Sequence, residues 1–96
     1  MKPSFPIENF LLRAATDKRI LPSHMSLFMA IFFYSPEQPT GRPFGVSRQK
    51  LMRFAKLKSI STYHKCLSEL VELGYITYQP SFDPYRASKV SINDNG

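Results

Sequence analysis

Six bases and no acid fall within residues 47–65: Arg48, Lys50, Arg53, Lys56, Lys58 and Lys65. The remainder of the 96-residue chain balances to zero, so this one stretch holds a charge equal to the whole net excess of +6. A solvated helix face ordinarily alternates its signs. A run of bases without acids favours an anionic partner, nucleic acid before membrane. Short polar side chains interleave with the bases: Ser59, Ser61, Thr62 and His64, with Ser68 just beyond. Lysine and imidazole can donate to guanine edges, and the hydroxyls can reach bases or phosphates. Catalytic chemistry has no comparable footing. The sequence shows no nucleophile–base–acid set, no glycine-rich phosphate cradle and no paired-carboxylate site; Glu69 and Glu72 read as solvated carboxylates on one helix. The single cysteine, Cys66, excludes an intrachain disulfide framework and a cysteine-based zinc site, and reads as a small buried hydrophobe. His24 and His64 lack neighbours at metal-ligand spacing, and His24 reads as a helix-start residue. The expectation is a binding protein, not an enzyme, with neither metal nor cofactor.

The elements that must carry these side chains follow from capping and periodicity. Ser47 is a good N-cap, and Val46 with Leu51 makes a hydrophobic staple, so a helix begins there with Leu51, Phe54 and Ala55 facing inward. Lys56-Leu57-Lys58-Ser59 is a turn anchored by Leu57, and Ser59 caps a further helix. That helix has its apolar positions at Tyr63, Cys66, Leu67, Leu70 and Leu73, and Gly74 supplies the residue of positive φ that ends it. Ser61, Thr62, His64, Lys65 and Ser68 remain exposed on it and are the candidate base contacts. Arg48, Lys50, Arg53, Lys56, Lys58 and Ser59 are candidate phosphate contacts, which set register without reading sequence. Charge along the helix is graded, basic at its start and acidic at Glu69 and Glu72, with Lys65–Glu69 spaced for an i, i+4 ion pair. Beyond Gly74 the period changes. Tyr75–Gln79 and Ser88–Ile92 read as the strands of a β-hairpin joined by a loop over 80–87. Arg86 near the loop tip and Lys89 on the second strand complete the phosphate-contact set, while Tyr85 packs. Asn93–Gly96 reads as a frayed tail.

Two helices, a tight turn and a two-stranded hairpin form the order of a winged helix-turn-helix. The stretch Leu51–Ile76 resembles winged-helix DNA-binding regulators, and is similar to small regulators of bacterial mobile genetic elements. Two phrases carry the likeness: Ser59-Ile60-Ser61-Thr62-Tyr63, which in such families opens the recognition helix, and Leu67-Ser68-Glu69-Leu70-Val71-Glu72-Leu73-Gly74-Tyr75-Ile76, which closes it and leads into the wing. The resemblance covers residues 22–92 and leaves the first twenty outside. It implies a mainly α fold with a small β-hairpin wing. It also implies sequence-specific binding of double-stranded DNA, with residues 59–73 in the major groove and 80–87 on backbone or minor groove, and a role in transcription regulation. An architectural, excision or replication accessory factor and a protein–protein module are the alternatives. One departure stands out: the small residue usual in the turn is Lys56 or Leu57 here, which predicts a longer turn.

Upstream, Ile7, Phe10, Leu11 and Ala14 mark one face of a short helix. A second helix starts near Pro22–Ser23, with Ser23 as a candidate cap, and stops before Pro36. From Met25 to Tyr34 only Ser26 is not apolar, and a helix apolar on all sides requires burial on all sides. Either a second subunit or the chain's own N-terminal segment must cover it. A homodimer through residues 23–34 and the N-terminal arm is the expectation for the first case. Residues 36–45 read as a loop, with Phe44–Val46 as a possible short strand. The domain plan is an arm over 1–21, a winged-helix domain over 22–92 and a tail over 93–96. The apolar run is far shorter than the ~20 residues of a spanning helix, and the N-terminus lacks a signal-peptide pattern, so the chain reads as cytoplasmic with no membrane partner.

Overall fold

The computed structural model describes residues 6–35, 43–81, 83 and 86–93. Among these described residues, four helices and three strands follow one another as α1 (Pro6–Thr16), α2 (Pro22–Phe33), β1 (Phe44–Val46), α3 (Arg48–Ala55), α4 (Ile60–Glu72), β2 (Ile76–Gln79) and β3 (Ser88–Ile92). The capping serines stand where expected. Ser47 Oγ accepts from the Lys50 amide and Ser59 Oγ from the Thr62 amide, each at 3.3 Å. At α2 the expected cap is displaced. Leu21, which has no side-chain acceptor, holds the cap position, with Pro22 and Ser23 inside the helix. His24 reaches back instead, its Nδ1 accepting from the Leu21 amide at 2.9 Å.

Helices α3 and α4 end in the same way with different residues. The Tyr75 amide donates to the Leu70 carbonyl at 3.0 Å across Gly74, at φ 86°; the Leu57 amide donates to the Met52 carbonyl at 2.9 Å across Lys56, at φ 63°. Lys56 thus adopts the left-handed conformation that glycine usually takes. The connection to α4 spans residues 56–59, an ordinary length for a helix–helix turn, so the missing glycine does not lengthen it.

The strands form one antiparallel sheet in the order β1-β3-β2. The expected hairpin is there, with Ile76 opposite Ile92 and Gln79 opposite Lys89, and β1 joins its other edge, Phe44 opposite Val90 and Val46 opposite Ser88. Gly45 permits that close approach: a Cβ placed there would lie 3.3 Å from the Ala87 Cβ. Asn93, expected in the tail, is tied down. Its amide donates to the Tyr75 carbonyl and its Nδ2 to the Gly74 carbonyl, both at 3.0 Å. The rest of that tail, residues 94–96, lies outside the described residues, as do 36–42 of the expected loop, and Phe82, Pro84 and Tyr85 near the hairpin tip.

Leu27, Phe28 and Ile31 of α2, Leu51 of α3, Leu70 of α4, and Ile76, Val90 and Ile92 of the sheet meet in one core. Burying each such side chain contributes about 1.5–3 kcal/mol. Helix α1 enters the same core through Phe10, stacked on Phe28 at 3.8 Å between centroids and edge-on to Tyr75 at 5.2 Å. Two inward assignments are corrected. Leu11 is exposed, whereas Phe10 and Ala14, one turn apart, meet the core; the side chain of Ile7, expected on the same face, lies outside the described residues. Phe54 is 39% exposed because it lies at the margin of α3, where it stacks on the exposed Phe33 at 4.6 Å.

Candidate nucleic-acid interface

Helix α4 packs against α2 and β2 through one face. Tyr63, Cys66, Leu67 and Leu70 bury one arc. At 100° per residue, Ser61, Lys65 and Ser68 share an opposite arc of about 60°, with His64 about 40° to one side and Thr62 about 60° to the other. All five are exposed, as expected, but they are not equivalent. The side chains of Ser61, Lys65 and Ser68 have no hydrogen-bond partner among the described residues. His64 leans toward the sheet and lines the groove between α4 and Tyr78 of β2, with Arg48 along the same groove. Thr62 stands on the flank that Glu69 shares two turns further on. The carboxylate of Glu72 closes the exposed arc one turn beyond Ser68, so the face is basic toward its N-terminus and acidic toward its C-terminus.

The start of α4 is the electropositive end. Unpaired amides and the helix dipole there add to Lys56 and Lys58, both exposed in the turn. Ser59 spends an oxygen lone pair on the cap and keeps its hydroxyl proton for an outside acceptor such as phosphate. The bases of α3 divide. Arg48 faces the groove beside His64, whereas Lys50 lines a separate hollow with Tyr34, Gly45 and Ala87. Arg53 lies about 60° around α3 from Lys50 and about 140° from Arg48, so it shares the Lys50 side. Near the hairpin tip, Arg86 and Lys89 border one hollow with Gln79 and Ser81. Arg86 has an acid for company, its Nε lying 3.7 Å from Asp83 Oδ2.

Tyr63 underlies the groove. Burial pushes its phenol up to about 12, the neighbouring Tyr78 adds to this, and Arg48 opposes it.

The acidic half of α4 is where sequence reasoning erred. The expected Lys65–Glu69 pair gives way to a long-range one: Glu69 Oε1 lies 2.7 Å from Nε2 of His24, a residue only 2% exposed. The overlooked signal was His24 three residues after Leu21, the capping-box position that Glu or Gln usually fills. The C-terminus of α4 is met by a cation from α1. Arg13 donates to the Leu73 carbonyl at 3.4 Å and lies 4.2 Å above the Tyr75 ring. Tyr75 in turn donates to Asp17 at 2.8 Å. Asp17 is held well below the usual carboxylate range, first by the Arg19 guanidinium, then by the Arg19 amide and Tyr75. A cation at that carbonyl offsets the unfavourable placing of Glu72 near a helix C-terminus.

Comparison with protein families, with curated proteins and with solved structures finds no match. Among the described residues no group of three or more His, Cys, Asp or Glu is arranged to hold a metal ion. No helix among them is long and apolar enough to cross a membrane.

Proposed function

We propose that the protein is a winged helix-turn-helix that binds double-stranded DNA sequence-specifically and regulates transcription. Helix α4 enters the major groove, and the β2–β3 connection lies on the backbone or in the minor groove. One observation carries the reading. The exposed arc of α4 holds Ser61, Lys65 and Ser68, whose side chains are unengaged among the described residues, and its N-terminal end sits among Lys56, Lys58 and the helix's own amides. Lys65 and His64 read base edges; Arg48, Lys58, Ser59 and Arg86 hold phosphates and set register. The reading is tested by salt. Affinity for duplex should fall linearly on a log–log plot with a slope of about −0.9 per phosphate contact. Lys58→Ala should weaken all duplexes alike and reduce that slope by about 1, whereas Lys65→Ala should relax sequence preference. Binding that ignores salt contradicts the reading.

The reading includes a homodimer, supported by the outward face of α2. Leu21, Met25, Met29 and Phe33 are exposed along it, Phe33 at 61%, and Phe54 of α3 extends the patch. Leu11 and Leu12 of α1 are exposed as well, in keeping with a share for the N-terminal segment. Helix α2 contains no Lys, Arg, Asp or Glu, so a second copy of this +6 chain meets no like charge from α2 itself. A mass that stays monomeric at every concentration in light scattering removes the dimer from the account.

A further inference from the structure

The His24–Glu69 contact spans forty-five residues and joins the first turn of α2 to the second half of α4. Its chemistry is fixed by the backbone. The Leu21 amide can only donate, so Nδ1 must accept and carries no proton. The ring proton therefore sits on Nε2 and is donated to the Glu69 carboxylate, a charge-assisted bond of 2.7 Å. The other residues buried on the two helices are apolar: Leu27, Phe28, Ala30 and Ile31 on α2, and Tyr63, Cys66, Leu67 and Leu70 on α4. Apolar packing is non-directional and holds a helix in place without fixing its rotation or height closely. A hydrogen bond from a buried ring that is itself pinned to the backbone does both. Buried polar pairs are weak evidence for stability, and their best-attested role is to specify register.

We propose that the His24–Glu69 bond is a positioning device for α4, setting the rotation and height at which Ser61, Lys65 and Ser68 face outward. The proposal rests on the DNA reading for its consequence but not for its geometry. Glu69 follows Ser68 directly and lies one turn after Lys65, so on a rigid helix its position dictates theirs. His24 and Glu69 thus determine sequence preference without touching DNA.

The test compares Glu69→Gln, whose amide oxygen still accepts from Nε2, with Glu69→Leu, which cannot. Both remove the same charge, so any general gain in DNA affinity from losing an acid is common to the two. The readout is the ratio of affinity for a selected duplex to affinity for a random one, measured beside thermal unfolding. The Gln variant should keep the parent ratio within about threefold. The Leu variant should lose about tenfold in the ratio, the discrimination of roughly one base pair, while its affinity for random duplex stays that of the Gln variant. An equal ratio in the two variants, or a loss confined to thermal stability, overturns the proposal. If the Leu variant does not fold, Glu69→Ala takes its place in the same comparison. If the parent selects no duplex, the DNA reading fails by itself. Residual dipolar couplings of the α4 amides then decide the positioning claim: a helix reoriented against α2 in the Leu or Ala variant and not in Gln supports it, and an unmoved helix sinks it.

Discussion

Lys56 holds a left-handed backbone with a full side chain, at φ 63°, where the matching end of α4 uses Gly74 at φ 86°. For a non-glycine residue that conformation costs about 1–2 kcal/mol. Lys56→Gly should therefore raise stability by up to ~1 kcal/mol after glycine's own entropic cost, read as a higher urea midpoint. The same substitution should weaken duplex binding by one phosphate contact. A variant more stable yet weaker on DNA separates the two roles of this residue; an unchanged midpoint contradicts the strain. Tyr63 carries a pH-dependent prediction. Its folded pKa, about 12, lies above the ordinary value of 10, so its contribution to stability is complete below pH 10 and is lost as pH rises from 10 toward 12. Tyr63→Phe should flatten the loss of stability across that window and remove one late-titrating tyrosine from the absorbance near 295 nm. At the hairpin tip, Asp83→Ala should strengthen duplex binding modestly by removing the acid beside Arg86.

Elements were legible in the sequence where their causes are local. Ser47, Ser59 and Gly74 act within one turn of themselves, so the bounds of α3 and α4 could be read from residue type alone. Ser59→Ala should cost about 1 kcal/mol for the lost cap, measured by chemical unfolding. What could not be read depended on partners distant in sequence. The cap of α2 is a local exception: His24 accepts from the Leu21 amide three residues back, at a position where residue type favours the Ser23 hydroxyl beside it. Helical spacing pairs Glu69 with Lys65, its neighbour along the helix, whereas its carboxylate points at His24, forty-five residues away. Helical spacing assigned Leu11 and Phe54 inward, because periodicity defines an apolar arc but not which margin of it the next helix covers. The pairing of β1 with β3 joins strands more than forty residues apart, a contact that neither segment's pattern encodes. Of the candidate site, the exposure of Ser61, Thr62, His64, Lys65 and Ser68 was legible from the core positions between them. The division of the α3 bases between two surfaces was not, since it needs the packing of α3 against α4 and the sheet.

At the scale of the whole molecule, charge and hydrocarbon are separated. The run of bases without acids, Arg48 to Lys65, lies on α3, α4 and their connecting turn, while α2 carries no formal charge and leaves Met25, Met29 and Phe33 in water. Met29→Glu should leave the core intact, since its side chain is on the exposed face, and should shift any dimer toward monomer in light scattering. Affinity for a two-half-site duplex should then fall more than affinity for a single half-site. The central claim, that the exposed arc of α4 reads DNA sequence, is tested most directly by selecting bound duplexes from a random pool with the parent protein and with Lys65→Ala. The account predicts a defined motif for the parent and a motif degenerate at one or two positions for the variant. A pool that stays random with the parent, or an identical motif from both proteins, would contradict it.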